Sequence, residues 1–158
     1  MTMPAATLPA EFLLRIHEEI EINAPISVTF EALLEQIGPA SEMMDGKPMP
    51  MKIEPWPGGR WFRDLGNNTG HLWGHVQVIK PPKLLEIWGP MAMSYAAVNH
   101  IQYRLTEQGN GTRLALLHRA MGEIPPEHRD GMPKGWEYIL KKIRENAERR
   151  KGGASGQH

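Results

Sequence analysis

The segment MKIEPWPGGRWFRDLGNNTGHLWGHVQVIKPPKLLEIWGPMAMSYAAVNHIQYRLTEQGNGTRLALLH, Met51 to His118, reads as strands throughout. Turn clusters break it at Pro55–Arg60, Gly66–Gly70, Lys80–Lys83, Gly89–Pro90 and Gln108–Thr112. Sequential strands joined by short turns build an antiparallel meander. Such a sheet has one face to bury, and the helix that follows, opening near Trp136, is its natural cover. The expected class is α+β: a curved antiparallel sheet wrapped around a long C-terminal helix. A sheet gripping one helix leaves a cavity between them, and function is expected there.

Toward the N-terminus, a first strand is expected over about Leu14–Asn23, with Ile16, Ile20 and Ile22 on one parity and His17, Glu19 and Glu21 on the other. A helix follows from Pro25–Ser27, with Ile26, Phe30, Leu33, Leu34 and Ile37 on one face, and Gly38-Pro39 ends it. Residues 40–50 form a connection with room for a second short helix. Toward the C-terminus, Gly122–Gly131 reads as a loop and the last helix as about Pro133–Arg150. Trp136, Leu140, Ile143 and Ala147 make its buried stripe. Residues 1–12 are read as a flexible arm, 13–150 as a single domain, and the Gly/Ser-containing 151–158 as a disordered tail.

Strand parity assigns the cavity wall. In the last hairpin, Asn99, Ile101, Tyr103 and Leu105 share a face with Leu114, Leu116, His118 and Ala120. Their alternates include His100, Gln102, Arg104, Arg113 and Arg119, so the first set faces inward. The middle hairpin is ambiguous. If it is symmetric about Asn68, then Phe62, Leu72, Gly74, Val76 and Val78 point inward, while Trp61, Trp73 and His75 form an outer partner or dimer surface. A bulge or a one-residue slip reverses that assignment.

Composition excludes several functions. Lys+Arg and Asp+Glu balance at 18 each, which removes the basic footprint of a nucleic-acid binder and disfavours anionic membrane surfaces. No Cys is present, so there is neither a disulfide framework nor thiolate chemistry. No apolar run approaches the ~20 residues of a membrane span. The first ten residues lack the pattern of a signal peptide, and a cytoplasmic protein is expected. Ten Met and five Trp suit either an irregular apolar cavity or an ordinary core.

No catalytic motif stands out. His71 and His75 lie ~13 Å apart if they are on one strand, too far to share an ion, and neither a metal nor a cofactor is expected. No Ser has a hydrolase elbow around it, and Pro57-Gly58-Gly59-Arg60 opens no helix, so it is no phosphate loop. His118, inward and near Tyr103 and Asn99, is the one candidate for chemistry, as a general base or a polar anchor. Its alternative is a satisfied core His bonded to Tyr103 or to a backbone carbonyl. Trp88, Met91, Met93 and Tyr95 cluster where the strand ending at Trp88 gives way to a loop, as a cavity mouth or as simple packing.

The order of motifs resembles a known superfamily. Ile22-Asn23-Ala24-Pro25 leads into the first helix, and Pro57-Gly58-Gly59-Arg60-Trp61 enters a strand. Gly74-His75-Val76, Lys80-Pro81-Pro82-Lys83-Leu84, Gly111-Thr112-Arg113-Leu114 and Gly135-Trp136 follow in turn. Over about residues 14–148 the chain is similar to the SRPBCC, or START-like, superfamily, in the branch resembling the C-terminal domain of the heat-shock-protein ATPase activator. The resemblance implies a helix-grip fold and, commonly, an apolar ligand cavity. It does not carry one function, since relatives include lipid and hormone binders, polyketide cyclases and co-chaperone domains.

Together these readings predict a domain that binds a small apolar or amphipathic molecule. The cavity is expected to be lined by Phe62, Val76, Trp88, Ile101, Tyr103, Leu116, His118, Trp136 and Leu140, with Met43 and Met44 near its mouth. Asn99, Tyr103 and His118 would be its polar anchors. The alternatives are a cyclase- or hydrolase-like enzyme with His118 as base, and a co-chaperone-like or homodimerising module.

Overall fold

The computed structural model describes residues 9–91 and 94–155. The chain runs through a 3-10 turn at Ala10–Phe12, then β1 (Leu13–Ile22), α1 (Ile26–Ile37), β2 (Lys52–Ile53), β3 (Arg60–Gly66) and β4 (Thr69–Lys80). It continues with β5 (Leu84–Gly89), β6 (Ala97–Gln108), β7 (Gly111–Gly122) and α2 (Pro126–Ser155). All seven strands join one antiparallel sheet in the order β1-β7-β6-β5-β4-β3-β2. This is the helix-grip arrangement, with one helix between the first strand and the meander. Residues 40–50 hold turns and a single Glu42–Pro48 bridge in place of a second helix. Among the described residues no helix is long and apolar enough to cross a membrane.

The last hairpin follows its alternation. Asn99, Ile101, Tyr103, Leu105, Leu114, Leu116, His118 and Ala120 are all buried, and Ile101 pairs with His118 across the strands. The α2 stripe of Trp136, Leu140, Ile143 and Ala147 lies buried with them in the core. α2 begins at Pro126, well before the expected start at Pro133, which sits inside the helix. Pro suits a first helical turn because its missing N–H has no intrahelical partner there. Pro126 holds that place, and the polar turns after it carry no core stripe to reveal a helix. At its other end α2 runs on through Lys151–Ser155.

The middle hairpin departs from the symmetric reading. Its turn is two residues, Asn67 and Asn68, at φ 54° and 60°, a geometry that Asn tolerates and that matches the strand twist. Phe62 pairs with Leu72 but Trp61 pairs with Gly74, so Trp73 is an extra, bulged residue on β4. The bulge reverses the faces. Trp61 turns inward and is 4% exposed, and its ring meets Trp73 edge-on at 5.1 Å. Phe62 faces outward beneath the Arg60 guanidinium, and Leu72 is exposed. The Trp61–Trp73 pair is therefore interior and is not an outer partner surface. Val76 remains inward and buried, as expected.

The bulge depends on two glycines. A Cβ on Gly89 would stand 2.4 Å from Gly74 Cα and 2.5 Å from the Trp73 carbonyl oxygen, and Gly89 has φ 156°. Both obstacles are backbone, so nothing flexible can yield. Gly89→Ala is expected to cost about 2 kcal/mol in urea unfolding. An unchanged midpoint would show that β4 and β5 do not approach this closely.

Candidate functional site

A cavity of about 400 Å³ lies between the sheet, the C-terminal end of α1 and the first half of α2. The sheet contributes Trp61, Trp73, Tyr103 and His118. α2 contributes Met132, Trp136 and Ile139, which follow i, i+4, i+7 on one helical face. Met49 and Met91 close the sides, and Glu42, Glu127, His128 and Tyr138 supply polar groups. Among the described residues no Lys or Arg lines it.

Of the residues read as cavity-lining, Tyr103, His118 and Trp136 come together here. Val76, Ile101, Leu116 and Leu140 are buried in the core and do not line the cavity. Phe62 and Trp88 face outward. Trp88 is 48% exposed and its ring lies 5.9 Å from that of His75. Trp88 points outward because Leu85 and Ile87 take the inward positions of β5, and Phe62 because Trp61 takes that of β3. Met43 and Met44 are exposed and Met49 takes their place, since the 43–47 turn points its tip at solvent. Met91 lines the cavity, and Met93 lies outside the described residues. Trp73, expected on the outer face in the symmetric register, lines the cavity, as do Met132 and Ile139, which are not among the expected lining residues. A bulge hid the first, and the early part of α2, with its 132-136-139 spacing, hid the others.

A chain of hydrogen bonds crosses the wall. Trp136 donates its indole N–H to His118 Nδ1 at 3.0 Å. That nitrogen is thus the acceptor, and the ring proton sits on Nε2, 2.7 Å from Asn99 Oδ1. Asn99 in turn donates through Nδ2 to the carbonyls of Gly89 and Pro90 at 3.2 and 3.3 Å. His118 is thus satisfied by two side chains, and not by Tyr103 or a backbone carbonyl. Burial lowers its pKa to about 4, and a second ring proton would confront the Trp136 N–H. Its basic lone pair is occupied, so in this arrangement His118 ties α2 to β6 and β7 and has no free site for a substrate proton.

Tyr103 differs. Its side chain is fully buried and its hydroxyl has no hydrogen-bond partner among the described residues. Burial raises its pKa, so the hydroxyl stays protonated and offers a donor. Its ring meets Trp136 edge-on at 6.1 Å. At the cavity's polar side, Tyr138 donates its hydroxyl to Glu42, which also has Lys142 Nζ at 3.3 Å. The Tyr138 hydrogen bond, with Lys142, lowers the Glu42 pKa. Tyr95 and His128 bond at 3.0 Å. Among the described residues no three acidic or His side chains converge as a metal site would require.

Solved structures share this architecture. CalU16 from Micromonospora echinospora is 21% identical, with 84% of this chain and 75% of that one covered and a TM-score of 0.61. A protein from Rhizobium leguminosarum is 15% identical, covering 87% and 95% of the chains, with a TM-score of 0.66. The di-domain ARO/CYC StfQ of the steffimycin biosynthetic pathway is 12% identical, with 90% of this chain and 53% of that one covered and a TM-score of 0.63. At these identities the likeness is one of fold. No curated protein matches the chain. The family model described as Activator of Hsp90 ATPase homolog 1-like protein matches residues 23–148. The chain therefore belongs to the Activator of Hsp90 ATPase homolog 1-like family.

Proposed function

We propose that this domain binds one small, largely apolar molecule in the cavity between Trp61, Trp73 and Trp136. The observation that carries the reading is an aromatic- and Met-lined space of about 400 Å³ between the sheet and α2. That volume falls in the range of small-molecule sites, which are mostly apolar with a few placed polar groups. Apolar burial at about 25 cal/mol per Å² supplies most of the affinity. The alternative of His118 as a catalytic base is less well supported, because both of its ring nitrogens are already bonded.

Gly135 provides the test. It lines the cavity from α2, and a Cβ placed there meets nothing within 4 Å. Gly135→Leu puts a side chain into the space while raising helix propensity by up to about 1 kcal/mol. Titration with 2-ethylnaphthalene, followed by quenching of Trp fluorescence, is expected to saturate in the wild type. In Gly135→Leu the affinity should fall at least about tenfold with no loss of melting temperature. No saturable quenching in the wild type, or equal affinity in the folded variant, would overturn the reading.

A further inference from the structure

We infer that two copies of this chain pair through the outer face of the sheet, along the row Leu13–Met121–Val98. This surface is distinct from Trp61 and Trp73, and the pairing is independent of the cavity. The three residues stand directly opposite one another across β1, β7 and β6. Each is about half exposed, whereas Ala120 and Asn99, their neighbours along the strands, point inward and are buried. Trp88, also exposed, extends the patch onto β5, where it pairs with His100. A contiguous apolar patch left open on a sheet face marks an interaction surface.

The charges around the row select the partner. On one side Arg15 and Arg119 stand directly opposite each other, both exposed. Like charges so placed destabilise a strand pair. On the other side, two residues beyond Leu13 and Met121 along the chain, lie the exposed Glu11 and Glu123. Among the described residues none of these four side chains is in an ion pair. Arg129 reaches this edge from α2, but its guanidinium is engaged by the Glu11 and Leu13 carbonyls. Acid, apolar and base therefore form three parallel bands. Turning a second copy about a two-fold axis along the apolar row stacks that row on itself. The same rotation exchanges the outer bands, so Arg119 meets the partner's Glu123 and Arg15 meets the partner's Glu11. An axis along the strands instead keeps each band over itself and sets Arg against Arg. The face is thus self-complementary, as a symmetric pair requires. A partner of one charge sign leaves one band unmatched.

The row spans only about 10 Å across three strands, so the interface is small and the dimer weak. Sedimentation equilibrium of the full chain, from about 5 μM to about 500 μM at low salt, where surface charges are least screened, is expected to show the mass rising from monomer toward dimer. Arg119→Glu and Glu123→Arg each set like charges across the axis and should each weaken association at least about tenfold. The double variant, with the two charges exchanged, should recover to within about threefold of wild type. Met121→Asp places a charge on the axis itself and should stay monomeric. All three positions are exposed, so melting temperatures close to wild type should accompany these changes. A wild type that remains monomeric at the highest concentration overturns the pairing. So does a dimer whose strength the single variants leave unchanged, or one that the double variant fails to restore.

Discussion

Between pH 7 and pH 4 the fold is expected to lose about 3 kcal/mol of stability through His118 alone. The cause is desolvation, since the imidazole is fully buried and its pKa is lowered to about 4. An unfolded His titrates at about 6.5. Above that pH both states are neutral at this site, and His118 contributes no pH dependence. As the pH falls through 6.5 the unfolded chain takes up a proton that the folded ring refuses, so unfolding becomes easier. The loss is complete near pH 4, where the folded ring also protonates. A gap of about 2.5 units is worth about 3 kcal/mol. Exposed carboxylates with lowered pKa values, such as Glu54, add their own loss at the acid end, so a variant must isolate the histidine. In His118→Gln the amide oxygen can accept from Trp136 and the amide N–H can donate to Asn99, without a titratable proton. Urea unfolding from pH 7 to pH 4 should show the wild type declining more steeply, the gap between the two changing by about 3 kcal/mol. Parallel curves would mean that the buried ring is not held neutral.

His118 also marks how far the sequence could be read. Its burial and its neighbourhood with Asn99 follow from alternation alone, because the β6 and β7 alternates, though they include Leu117, carry His100, Gln102, Arg104, Arg113 and Arg119, so the other face is the more apolar. The identity of its partners did not follow. Asn99 is diagonal to it across the hairpin, and Trp136 arrives from a helix whose rotation over the sheet no strand pattern specifies. The lone pair that a general base would use is taken by the Trp136 N–H. The middle hairpin was opaque for another reason. Trp61 and Phe62, like Leu72 and Trp73, are adjacent apolar residues of opposite parity, so hydrophobicity cannot say which faces in. The decision lies in the two-residue Asn67-Asn68 turn and the Trp73 bulge, which are backbone choices. Only the glycines that permit them leave a trace, at Gly74 and Gly89.

Alanine at Trp61 is expected to destabilise the fold by about 4 kcal/mol, whereas alanine at the adjacent Phe62 should cost under about 1.5 kcal/mol. The symmetric register would give the opposite ranking, because it places Phe62 inside and Trp61 outside. Trp61 is buried against the core, and its indole N–H donates to the Ile37 carbonyl at 2.8 Å. That carbonyl belongs to the last turn of α1, which has no intrahelical donor left to satisfy it. Truncation therefore removes a large ring, opens a void beside a pre-existing cavity, and orphans a helix terminus. Phe62 is half-buried on the outer face under Arg60, and its loss exposes little that was dry. Trp61→Phe separates the two components: it keeps most of the packing against Trp73 and loses the hydrogen bond, so about 1–2 kcal/mol of the total should remain lost. Urea midpoints of the three variants provide the comparison. A Phe62→Ala loss larger than that of Trp61→Ala would restore the symmetric hairpin and take the indole out of the cavity wall.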